Sequence, residues 1–146
     1  MTLQGWDISE QALSTETFLQ LSLPAVAESA HLARSEIAHL AAKSGATSGQ
    51  IESVRVAVSE ALTNAIVHAY PGTKGSVHVT AAVAGGELWV LVADEGRGFQ
   101  TASKTPGLGW GMPLIAHMSD EFAILERSGG GTEVRMRFPL GETTIA

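Results

Sequence analysis

The sequence predicts an α+β domain: a two-layer sandwich of a mixed, mainly antiparallel sheet with helices on one face. Three observations carry that prediction. Two alanine-rich segments with helical spacing, 24–43 and 50–70, come early in the chain. Strand-like runs of alternating apolar residues then arrive as adjacent pairs joined by glycine turns, as antiparallel hairpins do. One short helical pattern, Met112–Met118, separates the two pairs.

The elements follow in order. Residues 1–16 are polar and read as an N-terminal tail. Thr17–Leu23 alternates Leu19, Leu21 and Leu23, as a half-buried strand would. Pro24 suits a helix start, and the helix is expected to run to Lys43 with Leu32, Ile37 and Leu40 turned inward. After the loop Ser44–Gly49, a second helix is expected from Gln50 until Pro71–Gly72 ends it. Val77, Val79, Ala81 and Val83 alternate, and Gly85–Gly86 offers a tight turn into Leu88–Ala93. Phe122–Arg127 and Glu133–Leu140 form a second hairpin across Gly129–Gly131, and 141–146 is a short C-terminal tail.

Composition narrows the class of protein. Hydrophobic residues make up 45% of the 146 residues and charged ones 16%, so the chain can bury a core and suits one domain. Without cysteine, disulfides and thiolate metal sites are excluded. The start lacks the basic and apolar regions of a signal peptide, and no apolar run reaches membrane-spanning length. The expected location is therefore cytoplasmic, with no membrane contact. Nine basic against fifteen acidic residues give a net charge of −6, which argues against direct binding to nucleic acid through a broad basic face.

The chemistry-bearing stretch is Glu60–Ala–Leu–Thr–Asn64–Ala–Ile–Val–His68. On a regular helix, residues 60, 64 and 68 fall within roughly an 80° arc. The apolar face through Val54, Val58, Ala61, Leu62 and Ala65 borders that arc, while Glu52, Arg55, Ser59 and Thr63 form a strip that can face water. A half-buried carboxylate at Glu60 is costly without a partner. It either bonds a neighbouring loop or does chemistry.

Three glycine-containing elements follow, and with Glu60–His68 the four lie within about 75 residues. Asp94–Glu–Gly96–Arg–Gly98 comes straight after an apolar run. Gly107–Leu108–Gly109–Trp110–Gly111 leads into the short helix, and Gly129–Gly131 precedes Thr132. Each is weak alone; the four in this order are specific.

In this arrangement the chain resembles the GHKL (Bergerat) ATP-binding fold shared by gyrase, histidine kinases and MutL. It is most similar to the bacterial anti-sigma factor serine-protein kinases of the RsbW and SpoIIAB type. Val58–Tyr70 matches the family's N-box, the glycine elements match its other boxes, and the likeness spans 17–140 as a single ATP-binding kinase domain. The resemblance implies ATP and Mg²⁺ as cofactors. Asp94 would accept the adenine amine, with Gly96 and Gly98 letting backbone pass close to the base. Amides of Gly107, Leu108, Gly109, Trp110 and Gly111 at a helix start would cradle the phosphates. Asn64 would supply oxygen to Mg²⁺, Glu60 would act on the attacking hydroxyl, and Thr132 would face the adenine side. Trp110 also reads as a core residue, and His68 as a support for the phosphate end or a packing residue. Close relatives carry an arginine near the end of the lid. Here Lys104 is the basic residue in that segment, a point charge rather than a planar fork.

The implied function is an ATP-dependent protein-serine kinase and anti-sigma factor. It would phosphorylate a STAS-type anti-anti-sigma protein, sequester a sigma factor, and pair as a homodimer through the side of the sheet bearing Leu19, Leu21 and Leu23. A nucleotide-gated binder without phosphate transfer stays open, as does the ATP-binding domain of a histidine-kinase-like system.

Overall fold

A computed structural model describes residues 18–68, 74–96 and 111–141. Among them the chain forms β1 (Phe18–Pro24), α1 (Ala27–Lys43), α2 (Ser48–Thr63), a π-helical turn (Asn64–His68), β2 (Ser76–Ala84), β3 (Glu87–Asp94), α3 (Gly111–Met118), β4 (Glu121–Glu126) and β5 (Thr132–Pro139). The strands make one open five-stranded sheet in the order β1-β2-β3-β5-β4. Each of the four pairings is antiparallel, so the expected mixed sheet contains no parallel pair among the described residues. The β2–β3 and β4–β5 hairpins set these directions, and Gly85 and Gly86, both at positive φ, make the tight turn that matches the sheet's twist.

Pro24 does not open the first helix. It is the last residue of β1, paired with Ser76, on an edge strand where a missing N–H costs nothing. Extended Val26 precedes the helix, which begins at Ala27. Leu32 is 45% exposed, contrary to expectation, whereas Ala33, Ile37, Leu40 and Ala41 turn inward. Helix α2 starts at Ser48 because Thr47 and Gln50 form a reciprocal capping box.

The core lies between the helices and one sheet face. Alternation along β2, β3 and β5 buries Val77 and Val79, Leu88 and Val90, and Met136 and Phe138 against Ile37, Val58 and Leu62. Phe138, 1% exposed, is among the largest of these side chains, and truncating it to alanine is expected to cost about 3–5 kcal/mol. Leu19, Leu21 and Leu23 also pack against this core, half-buried. They are therefore not a free apolar surface, and β1 offers its open edge and the exposed Gln20 and Ser22 instead.

Two fastenings decide which end of the sheet carries the site. Gln50 Nε2 donates to the Gly141 carbonyl at 2.8 Å and Gly141 N–H donates to Gln50 Oε1 at 2.9 Å, so α2 starts where β5 finishes. Helix α2 then runs toward the opposite end, where β3 finishes at Asp94 and β5 begins at Thr132. Helix α3 packs on α2, and β4 starts beside the end of β5 just after α3, which places Gly111 toward that same site end.

Candidate functional site

Asp94 anchors the strand side of the site. It is 6% exposed and pairs in register with Thr132, itself 8% exposed. Gly96 N–H donates to Asp94 Oδ1 at 2.9 Å, and the Thr132 backbone N–H also bonds the carboxylate. Burial pushes the Asp94 carboxyl above its ordinary value. The two N–H bonds and the nearby Arg127 charge pull it part of the way back, while the Glu95 charge adds to the rise. Arg127 also donates to the Asp94 carbonyl at 3.2 Å.

Gly131 seats the glycine turn against this residue. A Cβ there would run into the Asp94 carbonyl and lie 2.7 Å from Glu95 Cα, and its φ of +99° already disfavours any side chain. Asp94, Gly96 and Thr132 are therefore brought together, as the sequence suggested. Gly98, Lys104, Gly107, Leu108, Gly109 and Trp110 lie outside the described residues.

The helix side holds Glu60 and Asn64. Glu60 is half-buried and lines a cleft of about 360 Å³ with Arg34, Glu52, Arg55, Val56 and Ser59. Arg34, reaching across from α1, donates to Ser59 Oγ at 3.3 Å and meets His31 Nδ1 at 2.9 Å. Thus Ser59, expected on the water-facing strip, is partly taken up by the helix–helix contact.

Asn64 lies one turn after Glu60, about 6 Å along the axis. Its amide Nδ2 is buried with no hydrogen-bond partner. Buried amides are nearly always satisfied, so an amide with no partner among the described residues is left able to meet a ligand. The regular α-helix ends here. Residues 64–68 form a π turn packed against β2 and β3, so His68 is not related to Asn64 by a regular α-helical turn, as the single-arc reading assumed. Such turns recur at functional sites. Gly111 begins α3, whose N-terminus lies toward the same end of the sheet.

Several contributors were not foreseen. The π turn leaves no trace in the apolar spacing. Arg127 and the His78–Glu95 contact depend on strand pairing across distant parts of the chain. The capping box, Thr47-x-x-Gln50, was readable, and it moves the helix start by two residues.

A half-buried Asn with an unbonded amide, a buried carboxylate at a strand end, and a helix start toward the same end are the described parts of the site. The profile of the histidine kinase-like ATPase domain matches residues 23–138. The chain is 32% identical to the anti-sigma F factor of Clostridium acetobutylicum over 133 residues, covering 84% of this chain and 93% of that one. It is 36% identical to the serine-protein kinase RsbW of Bacillus subtilis over 128 residues, covering 77% and 80%. A solved structure of the RsbU and RsbW domains of a Mycobacterium tuberculosis protein superposes with a TM-score of 0.66 at 27% identity. That match covers 87% of this chain, which spans 34% of the longer one. The chain belongs to the histidine kinase-like ATPase family, in its anti-sigma factor and serine-protein kinase branch.

Proposed function

We propose that this chain is an ATP-dependent protein-serine kinase that also sequesters a sigma factor, with a small STAS-type anti-anti-sigma protein as phosphate acceptor. The observation that carries the reading is the pair at the end of α2: half-buried Glu60, with no hydrogen bond or ion pair among the described residues, one turn before the orphaned amide of Asn64 in the π turn. The names of the relatives, anti-sigma factor and serine-protein kinase, support both halves of it.

Asp94 accepts from the adenine amine, Thr132 flanks the base, and the backbones of Gly96 and Gly98 pass close to it. Amides from Gly107 to Gly111 receive the phosphates. Asn64 fits Mg²⁺ and phosphate with its two ends: the oxygen suits a cation, and the unspent N–H suits a phosphate oxygen. When bound, Mg²⁺ would neutralise charge on the phosphates. Glu60 takes the proton from the serine hydroxyl as its oxygen bonds the γ-phosphorus and the bond to ADP breaks. Lys104 is the basic lid residue available to that phosphate.

Incubation with labelled ATP and STAS proteins from the same genome tests this reading. Phosphoserine on one of them is the expected result. ATP binding and partner capture without any transfer would replace the kinase with a nucleotide-gated binder. We further place the chain in the cytoplasm as a homodimer joined along the β1 side. Light scattering should give twice the monomer mass, and a monomer at micromolar concentration removes the dimer.

A further inference from the structure

The turn that carries Asp94 is held from the far side of the sheet by three side chains in a row. Along β2, Val77 and Val79 point into the core, so His78 between them stands on the face away from the helices. His78 Nδ1 lies 3.0 Å from Ser22 Oγ on β1, its in-register partner. His78 Nε2 lies 3.0 Å from Glu95 Oε1, on the residue between Asp94 and Gly96. Side chains alternate along an extended chain, so holding Glu95 on the outer face holds Asp94 turned inward.

We propose that His78 is a positioning residue for the base-reading turn, and that its protonation sets how tightly this chain holds ATP. The proposal rests on the nucleotide reading above.

A neutral ring with its proton on Nε2 donates to Glu95 and accepts from the Ser22 hydroxyl. Protonation adds a second N–H, which Ser22 Oγ can accept, and turns the Glu95 contact into an ion pair. Histidine is the side chain whose charge changes between mildly acidic and neutral pH. Glu95 remains ionised across that range, because the His78 hydrogen bond and charge lower its carboxyl below the ordinary value. Other charged groups near this row lie on β5 and beyond it. On β5, Glu133 pairs with Arg135 at 2.7 Å. Arg127 beyond it donates to the Asp94 carbonyl and also lowers the Glu95 carboxyl. Neighbouring β1 side chains on this face, Gln20 and Ser22, are uncharged. The sign follows: as pH falls, the turn is held more firmly and ATP affinity rises.

The test compares the full chain with His78→Gln and Glu95→Gln by calorimetry with Mg-ATP at pH 6 and pH 8. Taking the ratio of wild type to variant at each pH cancels the titration of ATP's own phosphate. That ratio should be about twofold to fivefold larger at pH 6, the range of an exposed ion pair. By reciprocity, ATP should raise the midpoint of the His78 ring titration seen by NMR, and Glu95→Gln should abolish that rise. A ratio that is the same at both pH values, with wild type binding ATP, reduces His78 to a structural contact and overturns this proposal alone. Wild type that binds no ATP at either pH overturns the nucleotide reading and this proposal together.

Discussion

The two sides of the site differ in how far their polar groups are already spent. On the strand side, Asp94 is bonded by Gly96 and Thr132, its carbonyl is taken by Arg127, and Glu95 is tied to His78. Farther along the sheet, Arg137 bridges Glu87 and Glu121, each at 3.2 Å, and stacks over Trp89. On the helix side, Glu60 has no such bond among the described residues, and the Asn64 amide is orphaned. The strand side is built to hold a shape. The helix side leaves Glu60 and the Asn64 amide without a bond among the described residues, which costs stability and is expected where charge must move.

Four substitutions would break or sharpen this contrast. Glu60→Gln should produce the largest change, lowering phosphate transfer by roughly 10²–10⁴-fold while ATP affinity stays near wild type. Transfer at the wild-type rate would assign the carboxylate to structure and erase the difference between the two sides. Asp94→Ala should come next. Losing the adenine acceptor and leaving its N–H partners unpaired costs on the order of 1–3 kcal/mol, so calorimetry should show ATP binding weakened about tenfold. A folded variant with unchanged affinity would take Asp94 out of the site.

Asn64→Ala should show a smaller, conditional loss: affinity for ATP falls several-fold more in magnesium than in EDTA. Because the substitution removes an unsatisfied buried group, its melting temperature should not drop below that of wild type. Equal losses in both buffers, or marked destabilisation, would make Asn64 a scaffold residue.

The smallest effect concerns Asp94→Asn and pH. The folded state raises the Asp94 carboxyl through burial, so ionising it costs folding free energy once the pH exceeds the ordinary aspartate range. That cost is fully present above the raised value and disappears as pH falls below the ordinary one. Thermal melts from pH 4 to 7.5 should therefore show any stability advantage of Asp94→Asn shrinking in acid. An advantage that grows in acid would mean that the N–H bonds outweigh burial.

The contrast also explains what could be read from sequence. The first hairpin was legible because Val77 to Val83 alternate ahead of a two-glycine turn into a second apolar run. Glu60, Asn64, Asp94 and Thr132 could be singled out because their residue types and spacing match a family, and the structure brings Asp94 and Thr132 side by side. The start of α1 was not legible. In an alanine-rich segment small residues give little contrast between helix faces, so Leu32 could be assigned inward when Ala33 holds that place. The π turn escaped for a related reason, since Ala65 is small and its burial continues the apolar spacing of α2. His78, Glu95 and Arg127 meet only through register between strands far apart in sequence, and no local pattern announces them.

The three glycines before Thr132 will not have equal histories. A Cβ at Gly129 would meet nothing within 4 Å, and one at Gly130 would come no nearer than 3.9 Å to the Gly96 carbonyl, whereas Gly131 is pressed against Asp94 and Glu95. Asparagine or aspartate, which accept positive φ more readily than other residues, can be accommodated at the first two positions. Codon 131 has no such latitude. Every change in its first two bases replaces glycine, so drift there is confined to silent third-base changes, and a library randomised across the turn should return a single residue at that one position.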